Sequence, residues 1–141
     1  MTIKAVKAII LVNKNYLLQL RDRKKNISFP NHWGLFGGRI DKKEKNIIAL
    51  KREIKEETNL NVKVNRRVFN VDFDIIGLKK KRNLQYYECE IIGKKKIKLS
   101  EGKKYKFFSF QQIKKLNIVP MDFVALKSHY LHNNHFISIY R

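Results

Sequence analysis

The stretch from Gly38 to Leu60 places four glutamates in and just before a segment with the pattern of a helix. Glu53, Glu56 and Glu57 stand at positions i, i+3 and i+4, and Glu44 precedes them. Side chains at this spacing lie on one face of a helix, within two turns. Three carboxylates on one face repel one another, and core packing requires none of them. Because Mg²⁺ and Mn²⁺ prefer carboxylate oxygens, the stretch is a candidate metal site.

The same stretch also follows a longer pattern, G-x5-E-x7-R-E-U-x-E-E-x-G-U, in which U is a bulky aliphatic residue. The matching residues are Gly38, Glu44, Arg52, Glu53, Ile54, Glu56, Glu57 and Leu60. This pattern is the signature box of the Nudix hydrolases, and the chain resembles that family on these residues. One position departs, because Asn59 stands where the family has a glycine. Asparagine is the next best residue for the left-handed conformation that closes a helix, so the departure leaves the resemblance intact.

The resemblance implies a fold and a reaction for the whole chain, taken as a single domain over residues 1–141. The implied fold class is α+β, a Nudix-type α/β/α sandwich with a mixed sheet flanked by helices. The implied reaction is Mg²⁺-dependent cleavage of the diphosphate linkage of a nucleoside di- or triphosphate or a derivative, with Mn²⁺ as the alternative ion. Two substrate classes remain open: an oxidised dGTP-type nucleotide and ADP-ribose.

The resemblance also implies roles for the residues of the box. Glu53, Glu56 and Glu57 would bind the metal, with the Gly38 carbonyl as a further ligand, and Glu53 would be the general base. Arg52 would hold the acidic cluster by ion pairing. Glu44, also expected in the catalytic set, would brace the loop or contact an outer-shell water. Phosphoanhydride hydrolysis needs little more than this, since charge neutralisation and a positioned water supply most of the catalysis.

Residues outside the box are candidates with an ordinary structural alternative beside each. Glu101 is the best candidate for an additional acidic metal ligand, or else a solvated loop glutamate. Arg21 and Arg23 are expected on a strand beside the box, where guanidinium groups would bind phosphates, and Arg39 would steady a phosphate. Trp33 would stack on a nucleobase. In so basic a chain, each of these arginines is also explained as general surface charge.

The net charge raises the question of a larger anionic partner. The chain has 32 Lys and Arg against 12 Asp and Glu, a formal charge of +20. Such a field attracts nucleotides, RNA and anionic membrane surfaces, although a genome rich in Lys, Asn and Ile codons explains it as well. Two alternatives follow: an enzyme that trims 5′-terminal phosphates or caps of RNA, and a non-catalytic nucleotide- or RNA-binding module. The intact acidic box argues against the module.

Composition places the chain among globular proteins of a reducing compartment. Hydrophobic residues make up 43% of the chain, and one cysteine excludes an internal disulfide. The sequence contains neither a signal-peptide pattern nor an apolar run of membrane-spanning length. We therefore expect a cytoplasmic protein that does not bind membranes, either a monomer or a homodimer.

Hydrophobic periodicity predicts strands before, between and after the helices. The strands are expected at Ile3–Val12, Tyr16–Leu20, Trp33–Phe36, Val62–Ile76, Leu84–Ile92 and Tyr105–Phe108, with helices over the box, Phe110–Leu116 and Met121–Leu131. Asp41 is the expected N-cap of the box helix, with Glu44 completing a capping box. Ile47, Leu50 and Ile54 would form its apolar stripe, and a kink is expected near Asn70.

Overall fold

A seven-stranded mixed sheet forms the centre of the computed structural model, which describes residues 2–23, 29–74, 77, 80–93, 96–100 and 104–133. In chain order the elements are β1 (Thr2–Val12), β2 (Asn15–Leu20), β3 (Trp33–Gly34), β4 (Phe36–Arg39), α1 (Asn46–Thr58), β5 (Asn61–Asp74), β6 (Lys81–Ile92), β7 (Lys104–Phe108), α2 (Phe110–Ile113) and α3 (Pro120–Leu131). The helix of the box is therefore α1. None of the helices in the described ranges is both long and apolar enough to cross a bilayer.

The central strand of the sheet is β1, which pairs with three others. It runs parallel to β6 and antiparallel to β4 and β2, while β5 pairs with β6, and both β3 and β7 pair with β2. A parallel pair needs a long crossover connection, and the segment from β4 through α1 and β5 contributes to it. This pairing places β4, with its paired glycines, next to the middle of β1.

The alternation of side chains along β1 divides the core into two layers. Val6 and Ala8 belong to a cluster with Leu50 of α1. Ile9 points to the opposite face and packs in a second cluster with Leu126 of α3. Successive residues of a strand face opposite sides of a sheet, so one strand contributes to both layers. The predicted sandwich of a mixed sheet between helices is confirmed.

The backbone conformation at the C-terminal end of α1 suits the asparagine that stands in place of the box glycine. Asn59 is the C-cap residue, with φ of 65° and ψ of 12°, and its N–H donates to the Lys55 carbonyl. This left-handed conformation is strained for most residues with a Cβ atom, and asparagine tolerates it better than most. The left-handed conformation predicted at Asn59, where the family has a glycine, is therefore present.

The start of α1 differs from the prediction. The helix begins at Asn46 with Lys45 as N-cap, so the assignment of Asp41 as N-cap is wrong. Lys43 has a positive φ of 68°, which interrupts any helix running on from Asp41. One of the two hydrogen bonds of the expected capping box is present within the loop: the Asp41 N–H donates to Glu44 Oε1 at 3.1 Å.

The predicted apolar stripe of α1 is correct only from its second turn onward. Leu50 and Ile54 are buried together with Ala49 and Thr58, but Ile47 is 45% exposed. In the first turn it is the side-chain amide of Asn46 that contacts the sheet, at Gln85 and Tyr87 of β6.

Further boundaries and irregularities differ from the sequence prediction, and the strand predicted at Trp33–Phe36 is divided between β3 and β4. The irregularities of β5 fall between Val64 and Arg66 and between Arg67 and Phe69, whereas Asn70 pairs regularly with its partner on β6. β6 begins at Lys81, three residues before the predicted start at Leu84. α2 ends at Ile113 rather than Leu116, because the Leu116 N–H donates to the Ile113 carbonyl in a tight closing turn.

The left-handed cap makes a testable prediction about stability. We expect Asn59→Ala to lower the free energy of unfolding by about 1 kcal/mol, and Asn59→Gly to stay within about 0.5 kcal/mol of the wild type, because only alanine resists a positive φ there. Urea denaturation measures both. Asn61→Ala, the same change at an exposed strand position, is the control. An equal loss in the two alanine variants would show that the backbone conformation is not responsible.

Candidate active site

The site begins where α1 lies against the two glycines of β4. A Cβ atom on Gly37 would overlap the backbone of β1, and one on Gly38 would overlap the carboxylate of Glu53. The Gly37 N–H donates to Glu57 Oε1 at 3.1 Å. The absence of a side chain at Gly37 therefore allows β4 to lie close to β1, and its absence at Gly38 allows Glu53 of α1 to touch the backbone there.

Arg52 is the cation at the centre of the acidic cluster. Its Nε and Nη2 donate to the two carboxylate oxygens of Glu44, at 2.7 and 2.9 Å. Its Nη1 contacts Glu53 Oε1 at 3.0 Å and Glu56 Oε2 at 3.3 Å. Its Nη2 also lies 3.4 Å from Asp41 Oδ2. One guanidinium thus contacts four carboxylates, and the two-pronged geometry with Glu44 is the stronger kind of ion pair.

These contacts shift the ionisation of both members of the pair. Hydrogen bonds from Arg52, and then the backbone N–H of Asp41, lower the pKa of Glu44 to about 2. The hydrogen bond to Glu44 in turn raises the pKa of the Arg52 guanidinium. Both groups therefore stay charged throughout the physiological range.

Glu53 lies in a different environment from its neighbours. Its side chain is 18% exposed, whereas that of Glu56 is 57% exposed. Burial raises the pKa of Glu53 above its ordinary value, and the hydrogen bond from Arg52 offsets only part of this effect. A carboxylate with a raised pKa is a better proton acceptor, so Glu53 has the properties of a general base.

The donor chemistry of the site fits a hard divalent cation. Glu53, Glu56 and Glu57 carry carboxylate oxygens on one side of α1, and the backbone of Gly38 adjoins Glu53. Within the described ranges, no three acidic, histidine or cysteine side chains already converge on one point. Instead, the Arg52 Nη1 atom contacts the carboxylates of both Glu53 and Glu56. Glu101 lies outside the described residues.

A cleft of about 690 Å³ opens beside the glycines of β4. The side chains along it include four cations, Lys7, Arg21, Arg39 and Arg82, and the apolar Phe29, Phe73 and Met121. Cations suit phosphate groups and apolar side chains suit a base or another flat group, so the cleft has both kinds of surface that a nucleotide needs.

The lining of the cleft also contains a buried acid that the sequence analysis did not single out. Asp122 of α3 is fully buried and accepts hydrogen bonds from Lys7 Nζ at 2.8 Å, Tyr86 Oη at 2.8 Å and the Leu35 N–H at 2.9 Å. Burial and the nearby Asp122 carboxylate raise the pKa of Tyr86. The sequence signal was Lys7, one of two lysines in the largely apolar strand β1.

The predicted substrate-binding residues separate into two groups. Arg21 and Arg39 line the cleft, whereas neither Arg23 nor Trp33 is among the described residues that line it. The Trp33 ring packs edge-on against Phe108 at 4.8 Å between centroids. The expectation that Arg21 and Arg23 lie on a strand is wrong, because β2 ends just before them and the chain turns into a loop. Substrate contacts by these residues stay predictions.

Comparison with known proteins agrees with this geometry. The chain is similar to the Escherichia coli ORF135 protein (20% identity, 94% of this chain and 91% of that chain covered, TM-score 0.76). It is also similar to the MutT protein from Methanosarcina mazei Go1 (23% identity, 95% and 96% covered, TM-score 0.77). A third similar structure is a Caenorhabditis elegans Ap4A hydrolase (20% identity, 92% and 96% covered, TM-score 0.72). Comparison with curated protein sequences yields no match.

The family assignment rests on the sequence rather than on these distant structures. The NUDIX domain profile matches residues 1–127, which is most of the chain. The chain therefore belongs to the Nudix family and is a hydrolase of phosphoanhydride bonds.

Proposed function

We propose that the protein is a Mg²⁺-dependent pyrophosphohydrolase of a small nucleotide, with Glu53 as general base. The observation that carries the proposal is the position of Glu53, half-buried between Arg52 and Gly38 at the edge of a cationic cleft. The names of similar proteins, MutT and Ap4A hydrolase, support a nucleotide as the substrate. An oxidised dGTP-type nucleotide and ADP-ribose remain the two candidate classes.

In this proposal the glutamates of α1 hold the metal and the base. Glu53, Glu56 and Glu57 would bind Mg²⁺ or Mn²⁺ together with the Gly38 carbonyl. The bound ion would neutralise charge on the phosphates and lower the pKa of a water molecule. Glu53 would take the proton of the attacking water.

Arg52 and Glu44 would act by orientation in the proposed reaction. The Glu44 carboxylate binds Arg52 through two donor atoms, which fixes the plane of the guanidinium. The remaining Nη1 atom of Arg52 then holds Glu53 in one position. A base must be oriented toward its water to be effective, because small misplacements lower rates strongly.

The phosphates would meet the arginines that line the cleft. Arg21 and Arg39 are our candidates on the basis of their position, with guanidinium groups suited to two-pronged phosphate binding. Arg23 and Trp33 remain weaker candidates, since neither lies along the cleft described above.

The charge of the chain favours a second candidate function. At +20, the protein attracts RNA as strongly as it attracts mononucleotides or more so. The same catalytic groups would then remove 5′-terminal phosphates or a cap from RNA held on the basic surface. Only the partner differs between the two proposals, so the reaction chemistry at Glu53 is common to both.

Replacement of Glu53 tests the reaction. We expect Glu53→Gln to lower kcat by about 100-fold or more, since removal of a general base typically costs this much. Phosphate release with Mg²⁺ is measured on a panel of canonical and 8-oxo nucleotides, ADP-ribose, dinucleoside polyphosphates, NADH and 5′-triphosphorylated RNA. Glu90→Gln, an exposed glutamate on β6, is the matched control. Full activity of Glu53→Gln would exclude Glu53 as the base.

The lowered pKa of Glu44 predicts a pH-dependent contribution to stability. A carboxyl with a pKa of about 2 in the folded state, against 4.5 ordinarily, stabilises the protein above pH 4.5 and loses this effect as the pH falls toward 2. The difference in unfolding free energy between wild type and Glu44→Gln should therefore be larger at pH 7 than at pH 3. Denaturant titrations at both pH values measure it, with Glu90→Gln as reference. A difference that is independent of pH would contradict the pairing.

Salt dependence distinguishes the two candidate substrates. If RNA binds the basic surface, kcat/KM for 5′-triphosphorylated RNA should fall more steeply with salt than kcat/KM for a mononucleotide, because more counterions are released. The measurement is kcat/KM for each substrate at salt concentrations from about 50 to about 200 mM, a roughly fourfold range that suffices to resolve such slopes. Equal slopes for the two substrates would remove the support for the RNA proposal.

A further inference from the structure

A buried polar contact joins the first turn of α1 to the sheet. The side-chain amide of Asn46 donates to Gln85 Oε1 at 2.8 Å and to Tyr87 Oη at 3.3 Å. Tyr87 Oη donates to the same Gln85 oxygen at 2.8 Å. Gln85 is 8% exposed and Tyr87 is 7% exposed, so the contact lies beneath the helix rather than on the surface. We call these three residues the Asn46 anchor.

The first turn of α1 has little other support. The N-cap residue, Lys45, makes no side-chain capping bond, and the first turn contains no acidic residue. Ile47 and Ile48, which follow Asn46, are 45% and 58% exposed. An uncapped first turn loses the usual stabilisation of its N–H groups, so the Asn46 anchor matters more here than at a capped helix.

The orientation of Gln85 is itself fixed by further hydrogen bonds. Gln85 Nε2 donates to Asn83 Oδ1 at 2.9 Å, and Asn83 Nδ2 donates to Asn70 Oδ1 at 2.8 Å and to Asp72 Oδ1 at 2.7 Å. The amide of Gln85 therefore cannot rotate without breaking the bond to Asn83. As a result, its carbonyl oxygen faces Asn46, and the contact with α1 has a defined direction.

The other end of α1 is held by different directional contacts. The Thr58 carbonyl accepts the N–H of Lys98 at 2.9 Å, and the Gly37 N–H binds Glu57. Glu53 lies between these ends, about 10 Å along the axis from Asn46 at the usual rise per residue. Apolar packing of the helix is non-directional and permits rotation about its axis, whereas hydrogen bonds at both ends do not.

We infer that Asn46 and Gln85 are positioning residues for the proposed hydrolase: their hydrogen bond sets the rotation of α1 about its axis and so holds Glu53 against Gly38. The inference rests on the proposed function, because it presumes that Glu53 acts in catalysis. Asn46 is the first residue of α1, so it would affect Glu53 only through the position of the helix.

Asn46→Ala is the first test of the anchor. Alanine has the highest helix propensity, so this change removes the hydrogen bond without weakening the helix intrinsically. We expect kcat to fall about 10-fold with KM within about 2-fold, as for a misplaced catalytic group. The backbone N–H groups of Ala49 and Leu50 should also exchange faster with solvent, a measurement made without substrate or metal.

The matched control is Asn65→Ala on β5. It also removes an asparagine amide bond, that to Glu88 at 3.1 Å, but makes no change near α1. We expect this variant to keep the wild-type kcat and the wild-type exchange rates in α1. An equal loss of kcat in the Asn46 and Asn65 variants would overturn the inference.

Substitutions at Gln85 test the same bond from the opposite side. Gln85→Glu keeps an acceptor for Asn46 and loses the donor to Asn83, whereas Gln85→Met loses both. We expect kcat to decrease in the order wild type, Gln85→Glu, Gln85→Met. Equal kcat values for the two variants would contradict a role for the bond with Asn46.

The outcomes separate this inference from the proposed function. Unchanged kcat in Asn46→Ala, whether or not the first turn exchanges faster, would overturn the inference and leave the proposed function intact. Full activity of Glu53→Gln would instead remove the proposed base. In that case faster exchange in Asn46→Ala would still report the anchor, but its link to catalysis would be lost.

Discussion

The close approach of α1 to β4 is the contact on which the arrangement of the site depends. Glu53 touches the backbone at Gly38, where a side chain would overlap its carboxylate, and Glu57 accepts the N–H of Gly37. This approach removes Glu53 from water, which raises its pKa. The buried position that makes Glu53 a stronger base thus follows from the glycines of a neighbouring strand rather than from the acidic cluster alone.

The apolar clusters and the polar contacts have different consequences for this arrangement. Apolar burial supplies most of the driving force for folding but permits many relative orientations of a helix and a sheet. The polar contacts around the site are directional, and buried groups that lose a partner are costly. Asp122, with hydrogen bonds from Lys7, Tyr86 and the Leu35 N–H, fixes α3 against the sheet in the same way that Asn46 fixes α1.

Local features of the site could be read from the sequence, and contacts between distant residues could not. The left-handed cap at Asn59 follows from rules about neighbouring residues. The ion pairing of Arg52 with the acidic cluster follows from the family resemblance. Asp122 meets Lys7 across 115 positions of sequence, a pairing that follows only from the sheet topology. The helix start was missed for a local reason, because a positive φ at Lys43 is not what its residue type predicts.

The charges around the cleft explain why a basic protein would need a metal in the proposed reaction. Arg52 carries one positive charge, while the four carboxylates that it contacts, those of Asp41, Glu44, Glu53 and Glu56, carry up to four negative charges. The acidic side of α1 would therefore repel a polyphosphate, even though arginines line the nearby cleft and the chain as a whole carries +20. Long-range attraction brings an anion to the cleft, but it does not cancel repulsion at a few ångströms. A divalent cation bound by the glutamates would reverse the sign of the local field, and the proposed requirement for Mg²⁺ follows from that balance.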